Sequence, residues 1–170
     1  MQTLKDLYRL AYLLTGKCEA GLDATLEAVE AVAGDFFSEW MTAWSRRVVI
    51  SKALAGMRTE LAASARRTSL RHATTDLPSR DWALRNGTSA AELARAILAI
   101  DLFPRCALLL SIFERVSIED AATLLDATPE LVRKGQAIGL QELTVNLARA
   151  QGWTSTEGAP YVMTGEMLHV

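Results

Sequence analysis

Leu4, Leu7, Tyr8, Leu10, Ala11 and Leu14 recur at helical spacing, and Gly16 predicts the end of that first helix. Leu22, Leu26, Val29 and Val32 make a second apolar stripe, with Glu19, Asp23, Glu27 and Glu30 sharing the other side. Gly34-Asp35 breaks the pattern. Phe36 and Phe37 then open a long third helix whose apolar members include Trp40, Met41, Trp44, Val48, Leu54, Met57 and Leu61. Trp40 and Trp44 lie one turn apart and are expected to fill the core between helices, with base stacking as the secondary reading. From Thr68 to Thr88 the periodicity fails. Pro78, Asn86-Gly87 and a density of Ser and Thr mark a linker there, with Trp82 expected to tack it down.

The pattern resumes with Ser89 and Glu92, spaced as a capping box, before Leu93, Ala96, Ile97 and Ile100. Pro104 suits the first turn of a helix carrying Ala107, Leu108, Leu110, Ile112 and Phe113. Ser117 with Asp120 starts a short helix with Ile118, Ala121, Ala122, Leu124 and Leu125 on its apolar face. Thr128-Pro129-Glu130 supplies a cap, a first-turn proline and a first-turn acid for the last helix. That helix is expected to bury Leu131, Val132, Ile138, Leu143, Val145 and Leu147 and to fade at Gly152. Residues 102–143 thus read as helix, turn, short helix, tight turn, longer helix, the order of a helix-turn-helix. Residues 153–170 are a tail whose structure the pattern leaves open.

The fold class is therefore all-α: two small helical domains, 1–67 and 89–152, joined by a linker at 68–88. Ala and Leu dominate and aromatics make up 6% of the 170 residues, which fits helices better than strands. The formal net charge of −2 provides no global field for nucleic acid, but its distribution is uneven. Residues 1–45 hold three basic and seven acidic side chains, whereas 46–71 hold seven basic ones against Glu60 alone. A basic stripe of that kind is either a solvated face or the footprint of phosphate binding. The carboxylates at 19, 23, 27 and 30 are likewise either a solvated face or a docking surface for a basic partner. Cys18 and Cys106 are expected to be buried free thiols. No signal-peptide layout and no apolar run of membrane-spanning length is present, so a soluble cytoplasmic protein is expected. Neither a Ser/His/Asp set, a phosphate loop nor a metal-ligand spacing is found, so enzyme, cofactor and metal roles are not expected. His72 and His169 stand apart in the linker and at the terminus.

Taken in series, these elements resemble the small two-domain, extracytoplasmic-function kind of bacterial RNA polymerase sigma factor in the sigma-70 family. Leu7-Tyr8-Arg9 through Leu14-Thr15-Gly16 resembles the start of sigma region 2, and Ala43-Trp44 with Arg47 its Ala-Trp-x-x-Arg core. Leu102 through Leu110 is similar to the entry to region 4. Val116-Ser117-Ile118-Glu119-Asp120 through Leu124-Leu125 is similar to the first helix of its helix-turn-helix. The likeness covers about 4–67 and 89–150. It implies core RNA polymerase and promoter DNA as partners, with an anti-sigma protein as a further one. By position it implies polymerase contacts at Asp23 and Glu27 and −10 contacts at Arg46, Arg47, Lys52 and Arg58. Thr128, Glu130, Arg133 and Lys134 are implied at the start of a −35 recognition helix.

The chain also departs from the sigma pattern. Leu26 stands where the docking helix usually carries glutamine, and the segment before Ala43-Trp44 is short. The last helix continues as 135–142, GQAIGLQE, where sigma factors carry further arginines. Each phosphate left without a cation lowers the salt slope of binding by roughly 0.9. Two glycines are expected to weaken the helix by about 1 kcal/mol each relative to alanine. From Glu114 to Gln151 there are four basic and six acidic side chains. An alternative expectation is therefore a sigma-like module that binds a protein partner without reading −35 DNA.

Overall fold

The computed structural model describes residues 2–31, 39–72 and 87–153, and every regular element among them is helical. Helix α1 (Gln2–Thr15) buries Leu7, Leu10, Ala11 and Leu14 and ends at Gly16, whose φ of +71 lets the chain reverse into α2 (Cys18–Ala31). The buried face of α2 is not the leucine stripe. Gly21, Ala24, Thr25 and Ala28 face inward, and Leu22 and Leu26 remain 50% exposed. Close approach is the reason: a Cβ on Gly21 would lie 3.1 Å from the Tyr12 backbone, so only small residues fit between α1 and α2.

The long third helix is two helices, α3 (Glu39–Ala55) and α4 (Arg58–Leu70), parted at Gly56-Met57. Trp44 is 38% exposed and does not fill the core; Val49, Ile50, Ala53 and Leu54 do. The side chain of Trp40 lies outside the described residues. Helix α4 runs past the expected boundary at Thr68, which is itself buried, with its hydroxyl bonded to the Ser64 carbonyl at 2.9 Å. Most of the expected linker, with Trp82, and the tail from Thr154 lie outside the described residues.

Helix α5 (Ala90–Leu98) opens with the expected capping box, in which Ser89 and Glu92 exchange both bonds. Helix α6 (Leu102–Leu108) is buried from Phe103 onward and widens into a π-helical turn, Leu109–Phe113. The wider turn rotates Ile112 and Phe113 out of the core, where the pattern placed them, and both are exposed. Helix α7 (Ile118–Leu125) is capped by Ser117 and ends at Asp126, left-handed at φ 50. Helix α8 (Pro129–Ala150) follows its Thr128 cap. Helix, left-handed corner and capped longer helix follow one another in that order.

Buried side chains from 7–61 and from 96–143 merge in one hydrophobic cluster. At its centre α6 packs against α1, α4, α7 and α8. The two glycines of α8 belong to this packing. A Cβ on Gly139 would stand 2.6 Å from the Pro104 carbonyl oxygen, and one on Gly135 would stand 2.9 Å from the Phe103 ring. Both glycines are buried in an unbroken helix of 22 residues. What looks like a weakness in helix propensity is a condition for backbone-to-backbone approach of α6 and α8.

Helix propensity alone makes Gly139→Ala stabilising by about 1 kcal/mol. The contact with Pro104 predicts the reverse, a loss of roughly 1–3 kcal/mol from overpacking, read as a lower midpoint in urea. A midpoint raised by the substitution contradicts the close approach.

Candidate functional site

The basic stripe lies on α3 and α4, and four of its seven cations are tied to carboxylates of this same chain. Arg46 makes a two-pronged contact with Glu114, Nε donating to Oε2 at 2.8 Å and Nη2 to the other oxygen. This pairing raises the Arg46 pKa. Glu114 reaches it because the π-helical turn closes with the Glu114 N–H on the Leu109 carbonyl and Arg115 then turns the chain at φ 55. Lys52 pairs with Glu27 at 2.8 Å. One implied DNA contact thus holds one implied polymerase contact. Arg67 grips both oxygens of Asp101, and Arg71 pairs with Glu142 on α8. Arg47, Arg58 and Arg66 are exposed and make no ion pair among the described residues.

The start of α8 is similarly occupied. Thr128 accepts from the Leu131 N–H at 3.3 Å and so serves as the cap. Lys134 donates to the Ser69 carbonyl at 2.7 Å, at the negative end of α4. Arg133 stands 3.5 Å from Glu119 in a solvent-exposed pair. The outward positions of the first three turns, Glu130, Arg133, Ala137 and Leu140, hold one acid, one cation and two apolar side chains. On α2, Asp23 is exposed between Leu22 and Leu26, so the acidic face carries apolar side chains as well. No spacing in the sequence singles out the acidic residues Asp101, Glu114 and Glu142. Each pairs with a partner at least 34 positions away, which no local spacing announces.

Between α3 and the first turns of α7 lies a cleft of about 540 Å³ with an apolar floor that includes Ile50 and Leu124. Arg46, Arg47, Glu114 and Asp120 stand at its sides. Among the described residues no group of His, Cys, Asp or Glu is arranged to hold a metal ion. Cys106 is buried, and burial pushes its thiol up to about 12, which leaves it protonated and inert. Cys18, expected to be buried, is exposed, because the α1–α2 contact is made further along by Gly21.

Asp101 connects several of these features. It accepts from its own neighbour, the Leu102 N–H, from the Ser64 hydroxyl and from Arg67. Ser64 in turn accepts from the Phe103 N–H at 2.8 Å. Burial acts to raise the Asp101 carboxyl, and the hydrogen bonds from Arg67, Leu102 and Ser64 outweigh it, so its pKa lies below the ordinary aspartate value. Comparison with protein-family models, with characterised proteins and with solved structures returns no match for this chain.

A carboxylate with a depressed folded-state pKa contributes stability above its unfolded value, and that contribution disappears as pH falls through the folded value. Asp101→Asn is therefore expected to cost about 1 kcal/mol at neutral pH. The gap between wild type and variant should begin to narrow as pH falls below about 3.9, the unfolded value, and should close only below the lower folded value. Urea midpoints from pH 2 to 7 measure it, and a gap independent of pH contradicts the assignment.

Proposed function

We propose that this protein is a sigma-like transcription initiation factor that binds core RNA polymerase and promoter DNA. The observation that carries the reading is the helix-turn-helix of α7 and α8. Its left-handed corner at Asp126 and its Thr128-Pro129 start follow, in the sigma order, an exposed acidic and apolar face on α2. On this reading Asp23 and Glu27, with Leu22 and Leu26, meet a basic and apolar surface of the polymerase. Arg47 and Arg58, and on displacement of their carboxylates Arg46 and Lys52, contact the −10 region. Thr128, Glu130, Arg133 and Lys134 stand at the end of α8 that would enter the major groove. Polymerase as partner places the work in the cytoplasm. No described helix is long and apolar enough to cross a membrane.

A specific observation favours a second reading, a sigma-like module that binds protein and leaves −35 DNA unread. Leu140 and Ala137 share the outward face of α8 with Glu130, and Arg133 and Lys134 are already engaged. The partner is then the polymerase or an anti-sigma protein.

Capture of core polymerase by the purified protein, followed by footprinting on promoter DNA, tests both. The first reading expects capture and protection at both elements. The second expects capture with no protection at −35. Asp23→Lys with Leu26→Ala should weaken capture roughly tenfold, equal to about 1.4 kcal/mol. Failure of the wild-type protein to capture polymerase ends the first reading.

A further inference from the structure

Three carboxylates of the C-terminal half sit on three arginines of the basic stripe. Glu114, Asp101 and Glu142 come from the turn after α6, the cap of α6 and the middle of α8. They meet Arg46, Arg67 and Arg71, spread along α3, α4 and its end. Two of the pairs are two-pronged, with both carboxylate oxygens on Nε and Nη2. An arginine fork takes a phosphate group in the same planar, two-pronged way. The carboxylates therefore fill the positions that phosphate oxygens would take.

We propose that the C-terminal half inhibits its own basic stripe by charge mimicry: Glu114, Asp101 and Glu142 hold Arg46, Arg67 and Arg71 in a self-paired state that duplex DNA must displace. The inference rests on reading α3 and α4 as a DNA-contacting face. It goes beyond that reading by naming the groups that compete for it. At Arg67 and Arg71 displacement requires no parting of the two halves, whereas Arg46, whose partner Glu114 keeps 10% of its side-chain surface in solvent, is the most tightly held of the three. Arg67 and Arg71 keep 59% and 36% of their side-chain surface in solvent, so a guanidinium can swing to a phosphate while the apolar core stays shut. The exposed cations Arg47, Arg58 and Arg66 supply the initial attraction. The three paired arginines are the reserve that the acids withhold.

The test is duplex-DNA binding by the full chain without polymerase, titrated at several salt concentrations. The triple variant Glu114→Gln, Asp101→Asn, Glu142→Gln is compared with a control that removes three exposed acids which, among the described residues, pair with none of the stripe's cations: Glu19→Gln, Glu30→Gln, Asp126→Asn. Both lose the same charge. The first should bind more tightly than the control, with a salt slope steeper by about 0.9 for each additional phosphate neutralised, roughly 2.7 for three. Equal affinity and equal slope in the two variants overturn the proposal. Should the first variant fail to fold, Glu142→Gln alone carries the test, with an expected steepening of about 0.9 and the same overturning result. Equal slopes with intact polymerase capture remove the mimicry and leave the polymerase reading standing. Tighter DNA binding without polymerase capture supports the mimicry and removes that reading.

Discussion

The backbone of α8 can lie against α6 this closely only because position 139 has no Cβ beside the Pro104 carbonyl and position 135 none beside the Phe103 ring. With 2.6 Å between a Cβ on Gly139 and the Pro104 carbonyl, an alanine there pushes the two helices apart. Much of the structure follows from that spacing. Phe103 and Leu108 of α6 are closed over completely, each contributing roughly 1.5–3 kcal/mol by burial. Because α8 lies this low, Lys134 reaches the end of α4, Glu142 reaches Arg71 and Asn146 reaches the Ala96 carbonyl at 3.0 Å. On the opposite side Arg105 carries its charge into the interior. It is held there by backbone carbonyls, those of Leu98 and Ile100 after α5 and of Leu14 at the end of α1. Burial lowers its pKa, and no carboxylate among the described residues is hydrogen-bonded to it. The guanidinium fits because Gly16, held at positive φ, leaves room against it. Helix α6 thus binds both halves of the chain, through glycines on one side and a buried cation on the other.

The charge pattern has a different meaning in three dimensions from the one it has along the chain. Residues 46–71 carry a local excess of six positive charges, yet Arg46, Lys52, Arg67 and Arg71 each face a carboxylate. The more exposed of these pairs, Lys52 with Glu27 and Arg67 with Asp101, are worth about 0–1 kcal/mol apiece, too little to explain the fold. Their effect is on availability. A polyanion approaching α3 and α4 meets three arginines outside any described ion pair rather than seven cations, and it must compete for the rest. The acidic balance of the C-terminal half is accounted for by the arginines it neutralises, Glu114 facing Arg46 and Glu142 facing Arg71.

The helices were legible because their signals are local. Gly16, Ser89 with Glu92, Ser117 and Thr128-Pro129 fix helix ends within a few residues, and each stands where the pattern put it. What failed were inferences that needed a neighbour. Leu22 and Leu26 looked like a core stripe, but the α1–α2 contact admits only Gly21, Ala24, Thr25 and Ala28. Trp44 looked like core filling and lies at the surface. Gly135 and Gly139 looked like defects in a recognition helix because their partner, α6, is invisible to helix propensity. Among the candidate contact residues, type and helical position could be read. Occupancy could not, since the carboxylate facing Arg46 lies 68 positions away and the one facing Arg67 lies 34 away.

A shared core sets a condition on any promoter-reading role. Two promoter elements some 25 base pairs apart are separated by about 85 Å at 3.4 Å per base pair. A compact chain of 170 residues has a radius of gyration near 16 Å. With the Ser64 hydroxyl on the Phe103 N–H and Arg105 on the Leu14 carbonyl, the two halves cannot reach both elements at once. Dual contact requires parting α6 from α1 and α4, which strips the Phe103 N–H of the Ser64 hydroxyl and the Arg105 charge of the Leu14 carbonyl. Only a partner surface able to cover those groups and the shared core offsets that cost, and duplex DNA, which offers phosphates rather than apolar area, is not such a surface. Opening, if it serves the function, is therefore work for a protein partner. Without such a partner the chain stays in the closed form, in which Arg47, Arg58 and Arg66 are the exposed cations of α3 and α4 that stand outside any ion pair among the described residues.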